Sequence, residues 1–504
     1  MVNGGYIDTR ETHSGAVIMI GDHAFKLKKP VDLGFLDFRD PVQRRLVCRR
    51  ELELNRRLAP DVYLGIGELQ APGMPTEPSV MMRRMPDASR LATLVGAGVA
   101  TPQQVRDIAR TIVVFHTHAQ RGPEISAEGT RDALSARWEA SFTQCRTFLA
   151  QVLDEAVVSE TEALVRSFLA GRSILFAERI QDGRVLDGHG DLMADDIFCL
   201  PDGPRILDCL EFDDRLRYVD QLDDVAFLAM DLEHLGDPAL AAHLLSAYVE
   251  YGNDPAPPAL LHHYLAYRAF VRAKVSGLRS TQSGADRKEQ GVARRFAALA
   301  LNHLRQGAVA LVLVGGPPGS GKSTLAGDIA DRLGMVVLGS DRVRKELAGL
   351  DPGRSAATNF EEGIYGPAWT DRTYAELLRR AEGLLARGES VVLDATWRDA
   401  GWRDHARDVA ERTTSELVSL RCELDVATAA SRLAARREHD EGEVSDADAT
   451  IARRIRGVED PWSDAVGIDT TPDREECAAR AVATVRPPAP SAMTHVRRSL
   501  MAPD

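Results

Sequence analysis

The chain has 504 residues, 62 basic and 75 acidic side chains, and a formal charge of −13. At roughly 150 residues per domain that length excludes a single small fold, and the acidity argues against a non-specific nucleic-acid binder. No apolar run reaches the ~18 residues of a membrane span, the start lacks a charged-then-apolar leader, and six scattered cysteines form no C-x-x-C pair. A cytoplasmic protein with reduced thiols and no membrane partner is expected.

In chain order, Ala16 to Ile20 and Ala24 to Lys28 flank Gly21-Asp22 and predict a β-hairpin, preceded by the small-residue turn Thr12-His13-Ser14-Gly15. Lys26 and Lys28 fall on one face of the second strand by its period of two. Asp40-Pro41 opens a helix, with Asp as N-cap, and Glu51 lies within it. A strand lysine paired with a helix glutamate is how kinases position the α- and β-phosphates of ATP. Ser79 to Arg83 reads as a further strand.

His189-Gly190-Asp191-Leu192-Met193-Ala194-Asp195-Asp196 is followed by a strand, a Pro-Asp-Gly-Pro turn and Arg205-Ile206-Leu207-Asp208. The order matches H-x-D-x-x-x-x-N, a hairpin and a metal-binding aspartate. In it Asp191 accepts or orients the acceptor hydroxyl proton, while Asp196 and Asp208 ligate Mg²⁺. Glu211 and the run Asp220 to Asp224 read either as an acidic acceptor site or as a solvated loop. Ser280 to Gly291 lacks periodicity and reads as a linker, and Val292 to Arg305 as a connecting helix.

Ala308 to Val314 is a continuous apolar run suited to a strand buried on both faces. Gly316-Pro317-Pro318-Gly319-Ser320-Gly321-Lys322-Ser323 then matches G-x-x-x-x-G-K-[ST], with Thr324 opening a helix. The glycines let backbone amides turn onto phosphates, Lys322 reaches the β- and γ-phosphates, and Ser323 holds Mg²⁺. Met335 to Leu338 predicts a second strand. Behind it Asp341 suits a base or a helix N-cap, and Arg344 an orienting cation. Ser390 to Leu393 predicts a third strand, ending in a Walker-B-type Asp394. Arg432, Arg436 and Arg437 share one helix face, Glu438 to Glu443 is a loop, and Ser445 to Asp448 restarts a helix. This is the pattern of a closing lid, and a solvated arginine face is the alternative. The Pro-rich tail from Arg486 reads as disordered.

These readings divide the chain into 1–290, a linker helix at 291–305, a module at 306–485 and a tail at 486–504. Residues 306–460 resemble the P-loop kinases that include gluconate-kinase-like and zeta-toxin-like proteins and the kinase domain of polynucleotide kinase. Residues 10–275 resemble the aminoglycoside phosphotransferase and choline-kinase-like family, departing at Met193 (histidine there) and Asp196 (asparagine there). The order of modules resembles bacterial bifunctional aminoglycoside phosphotransferase/ATP-binding proteins. The resemblance implies an α+β bilobal protein-kinase-like domain followed by an α/β P-loop NTPase domain with a parallel sheet and helical lid. It also implies an adenine hinge at Met82–Met85.

The expected function is ATP- and Mg²⁺-dependent transfer of a γ-phosphoryl group to a small hydroxylated acceptor, with Asp191, Asp341, Lys322 and Arg344 as catalytic groups. Alternatives are a nucleotide-binding regulator with an N-terminal pseudokinase, and an RNA 5′-hydroxyl kinase. Between Ala308 and Val485 there are 23 basic and 32 acidic residues, against a polynucleotide acceptor. Only seven basic residues are lysine; five of them (Lys26, Lys28, Lys29, Lys322, Lys345) fall in the proposed sites, where a compact ammonium suits phosphate. The acceptors, any coupling and the oligomeric state are left open.

Overall fold

A computed structural model describes residues 7–11, 15–31, 38–70, 76–282, 286–351, 363–425, 427–432 and 459–486. The turn at Thr12–Ser14, the lid residues Arg436 and Arg437 with the loop and helix behind them, and the tail beyond Arg486 lie outside these residues. The chain forms two compact units. One comprises Met1–Ser159, Phe176–Ala256 and His263–Leu301; the other comprises Glu160–Leu175, Pro257–His262 and Asn302–Asp504.

The N-terminal unit opens with β1 (Ile7–Glu11), β2 (Gly15–Ile20), β3 (His23–Lys28), β4 (Tyr63–Leu69) and β5 (Glu77–Arg83). They form an antiparallel sheet in the order β1-β2-β3-β5-β4. The β2–β3 hairpin turns in two residues, which Gly21 permits by taking φ +57°. The helix Pro41–Asn55 packs on this sheet, capped by Asp40, whose carboxylate accepts from the Val42 amide at 2.9 Å. Its inward face meets Met19, Val62, Tyr63 and Val80 in a core that Phe198 and Leu207 complete. The second lobe is mainly helical and carries two short hairpins: β6 (Val185–Asp187) with β9 (Tyr218–Asp220), and β7 (Ile197–Leu200) with β8 (Gly203–Ile206). Together the lobes make a bilobal, protein-kinase-like α+β fold.

Two expectations need correction here. The run Asp220 to Asp224 is neither a solvated loop nor an acceptor site. It caps and opens the helix Gln221–His234, whose first dozen residues are all buried. The stretch Ser280 to Gly291 belongs largely to two helices, Pro258–Gln282 and Arg287–Gln306, because amphipathic faces extend through its polar residues.

The second unit holds β10 (Ala310–Gly315), β11 (Val336–Gly339), β12 (Val391–Asp394), β13 (Glu416–Glu423) and β14 (Val466–Asp469). All pair in parallel in the order β11-β12-β10-β13-β14. Every residue of the central β10 is buried, as its unbroken apolar sequence requires. The helices Lys322–Leu333 and Arg474–Val485 close one core over this sheet, through Leu325, Ile329, Ala481 and Val485. This is an α/β P-loop NTPase fold. Among the described residues, no helix is long and apolar enough to cross a membrane.

Candidate functional site

In the N-terminal unit Lys26 and Lys28 both point at Glu51. Lys26 Nζ lies 2.8 Å from Glu51 Oε1, Lys28 Nζ 2.7 Å from Oε2, and the glutamate is wholly buried. Each lysine has a second partner: Lys26 binds Asp208, and Lys28 binds Glu211. Three carboxylates thus share two ammonium groups. Burial disfavours the charge on Glu51, yet the two lysines outweigh it and hold this carboxyl below its usual range. Burial likewise opposes the charge on Lys26, and Asp208, Glu51 and Glu211 together raise its pKa well above the ordinary value. Glu211, which read either as part of an acidic acceptor site or as a solvated loop, is instead paired with Lys28.

Asp208 follows β8 with φ +65°, a left-handed conformation costly for a side chain with a Cβ. Its amide donates to the Tyr63 hydroxyl at 3.1 Å, which helps fix it. Although 42% of its side chain is open to solvent, it sits among protein charges. Burial pushes its pKa up, and Lys26, with Lys28 and His189, reverses that.

The segment carrying Asp191 is held from below by Asp224, which is fully buried. The Asp224 carboxylate accepts from the amides of His189 and Gly190 at 2.8 Å each and contacts His116 Nε2 at 2.9 Å. Burial raises the pKa of this carboxyl, but His116 and His189 carry it well below the carboxylate range. His189 contacts the Leu207 carbonyl at 3.1 Å, tying the Asp191 segment to that of Asp208. Burial pushes His189 down to about 4, so the ring is neutral at pH 7.

Asp191 is pushed up to about 6 by burial, with Asp208 and Asp231 adding to it and Arg272 and Arg268 opposing. Asp196 rises well above the usual range through burial and the charges of Asp208 and Asp191. Asp191, Asp196 and Asp208 therefore share one electrostatic environment, although His189, Tyr63 and Asp224 were needed to build it. Of these three, only His189 was legible in a motif.

In the second unit, register places the remaining predicted residues together. Val314 pairs with Asp394 and Asp394 with Gly339, so the carboxyl ends of β10, β12 and β11 adjoin. The phosphate loop leaves β10, Asp394 ends β12, and Asp341 lies just past β11. Gly316 takes φ +139°; a Cβ there would meet Ser320 Oγ at 2.8 Å and the Cys422 carbonyl at 3.1 Å. Gly319 and Gly321 also take positive φ, at +80° and +87°. Pro317, Pro318 and Ser320 are buried, Lys322 is half-buried, and Ser323 and Thr324 are exposed at the first turn of the helix. Backbone amides and a helix N-terminus thereby converge as in a phosphate cradle.

Asp341 is not an N-cap. Gly339 holds that position, and Asp341 lies in the first turn of the helix Ser340–Leu347 because helical geometry already begins at Ser340. Its carboxylate accepts from the Tyr365 hydroxyl at 2.8 Å and lies 3.6 Å from the buried Lys345 ammonium. Arg344 is buried against the Tyr365 ring, 4.9 Å from its centre, and donates to the Ile364 carbonyl at 3.4 Å. Burial lowers the pKa of that guanidinium, against the pull of Asp341. Tyr365 thus joins the predicted pair.

A cavity of about 510 Å³ adjoins the phosphate loop, lined by Gly321, Thr324, Arg432, Thr470, Pro472 and Arg474 among others. Thr470 donates to the Ser320 carbonyl at 2.8 Å, and Arg432 donates to the Thr470 carbonyl at 2.9 Å. The volume suits a nucleoside beside its phosphates. Sequence reasoning found Arg432 and missed Thr470 and Arg474, which follow β14.

One oxygen of Asp394, Oδ1, is buried without a hydrogen-bond partner. Such an orphan costs free energy unless a cation or water meets it, so the residues fit a bound Mg²⁺. Among the described residues no group of three or more His, Cys, Asp or Glu side chains is arranged to hold a metal. Ser323 and Asp394 suit an ion taking most of its ligands from phosphate and water, as Mg²⁺ does. Asp196 and Asp208 would serve the N-terminal unit in the same way.

A family model described as an AAA domain matches residues 311–461. Among solved structures, the GDP complex of aminoglycoside 2′-phosphotransferase-IIIa is 15% identical with a TM-score of 0.39, covering 59% of this chain and 94% of that one. A putative kinase from Chloroflexus aurantiacus is 17% identical with a TM-score of 0.29, covering 35% of this chain and 98% of that one. Over 479 residues the chain is 43% identical to the uncharacterized protein Rv2004c of Mycobacterium tuberculosis, covering 94% of this chain and 95% of that one. The chain belongs to the family of that mycobacterial protein.

Proposed function

We propose that the protein is an ATP- and Mg²⁺-dependent phosphotransferase with two nucleotide-binding modules, of the bifunctional aminoglycoside phosphotransferase/ATP-binding kind and acting in the cytoplasm. Each module transfers a γ-phosphoryl group to a small hydroxylated acceptor. One observation carries the reading: the adjoining ends of β10, β11 and β12 bring together a glycine cradle, an orphaned carboxylate oxygen and a carboxylate suited to take a hydroxyl proton. These are the parts that phosphoryl transfer needs, since its catalysis is mostly positioning and charge stabilisation. Asp341, steadied by Tyr365, takes the proton, while Lys322 and Arg432 hold the phosphates. Mg²⁺, when bound by Ser323 and Asp394, neutralises charge developing on the phosphate oxygens. In the N-terminal module Lys26 orients phosphates and Asp191 faces the acceptor.

ADP release from ATP, measured with a metabolite extract for wild type, K322A and D191A, tests this reading. Each variant should lose one component of the rate. Release at the wild-type rate by both variants contradicts it. A regulatory reading of the N-terminal unit is favoured by the Lys26–Asp208 ion pair, which sets a lysine against a metal ligand. Tight Mg²⁺-dependent ATP binding without acceptor-dependent ADP release would select it.

A further inference from the structure

Four of the acidic residues that the sequence offered for a cationic acceptor are paired inside the N-terminal unit. Asp220 pairs with Arg179 at 2.6 Å, Asp223 with Arg268 at 2.7 Å, Asp224 with His116 at 2.9 Å, and Glu211 with Lys28. One arginine near Asp191, Arg272, shows the opposite condition, although its neighbour Arg268 is paired with Asp223. Arg268 donates to the Gly190 carbonyl at 3.3 Å, next to Asp191, and Arg272 lies one turn further along the same helix face. Arg272 is half-buried, its Nε is buried without a hydrogen-bond partner, and it forms no ion pair with any described residue. Its guanidinium lies 5.9 Å from the centre of the Phe296 ring, which stacks on His234 at 3.8 Å. Arg295, one residue before Phe296, is exposed and likewise unpaired among the described residues. Both arginines act on His234, which burial holds down to about 4, so the ring between them is neutral and cannot supply the missing anion. The carboxyls of Asp191 and Asp231 feel Arg272, yet neither is within 4 Å of it in an ion pair.

A half-buried guanidinium without a carboxylate partner, among described arginines most of which have one, suits an external oxyanion. We propose that the acceptor of the N-terminal module carries an oxyanion, a phosphate or carboxylate, bound by Arg272 and Arg295 while its hydroxyl faces Asp191. This rests on the reading of that module as a phosphotransferase. In the step, the acceptor hydroxyl oxygen forms a bond to the γ-phosphorus of ATP. The bond from that phosphorus to the β–γ bridging oxygen breaks, ADP leaves with the electron pair, and the hydroxyl proton passes to Asp191.

The test is calorimetric titration of the full chain, with a non-hydrolysable ATP analogue and Mg²⁺ present. Inorganic phosphate, glycerol 3-phosphate and ethanolamine are the probes, and wild type, R272Q, R272K and R295Q the proteins. Loss of a charged hydrogen bond should weaken both phosphate probes about tenfold or more in R272Q and R295Q, with R272K recovering part of it. Circular dichroism of each variant separates this from misfolding, and R295Q alters only an exposed side chain. Wild-type preference for ethanolamine, no heat with either phosphate probe, or unchanged phosphate binding in R272Q and R295Q overturns the proposal. ADP release with the same probes is read separately. Its absence with Arg-dependent phosphate binding counts against the phosphotransferase reading and leaves the oxyanion site standing.

Discussion

The two candidate sites treat charge differently. In the N-terminal unit Lys26 and Lys28 are neutralised by Glu51, Asp208 and Glu211 within the protein, so a phosphate bound there would exchange one set of ion pairs for another. In the P-loop unit the cradle is made of backbone amides, and its nearby acid keeps an orphaned oxygen. A backbone cradle needs no side-chain exchange, whereas a paired lysine must give up a partner. The first arrangement favours selectivity by competition, the second ready binding of phosphate.

Removing a group whose charge is not already neutralised should cost most. K322A should lower the P-loop component of ADP release at least about a hundredfold, in line with loss of one group stabilising developing charge. An ADP assay on the D191A background isolates that component; a change under threefold would erase the contrast. In the paired site the main loss should fall on stability. E51Q leaves two buried lysines short of an anion and should destabilise the N-terminal unit by about 3 kcal/mol, read from its urea transition.

The pH profile sharpens the contrast next. Asp191 has its pKa raised to about 6, so as a base it is lost as pH falls through 6. The N-terminal rate should then drop about tenfold per pH unit well below that point. The same shift makes the folded unit bind more protons than the unfolded chain, so its contribution to stability falls as pH rises from about 4 to 6. A flat rate between pH 5 and 7 in the K322A background would remove Asp191 from this role. The smallest effect is expected for D196N, which removes an ionisable carboxyl beside Asp191 and Asp208 and should tighten nucleotide binding by the N-terminal unit about three- to tenfold. Nucleotide titration of that variant checks it.

The P-loop was legible because its chemistry is contiguous: strand, glycine turn and helix follow one another from Ala310 to Leu333. Asp40 and Pro41 announced their helix for the same local reason. Thr470 and Arg474 were not legible, since only the strand order β10-β13-β14 brings their loop beside residues 150 positions earlier. Asp220 to Asp224 misled because acidity along a sequence does not reveal burial. Their partners Arg179, Arg268 and His116 lie 41, 45 and 108 residues away. The doubly paired Glu51 shows the middle case: the lysine–glutamate link could be expected, while the counter-charges Asp208 and Glu211 closing it came from 182 and 183 residues further on than the lysines they meet.

The central claim is that one chain carries two nucleotide sites. Equilibrium titration of wild-type protein with a non-hydrolysable ATP analogue and Mg²⁺ counts them directly. The account predicts two molecules bound per chain, one of them lost in K322A. A stoichiometry of one in wild type would contradict it.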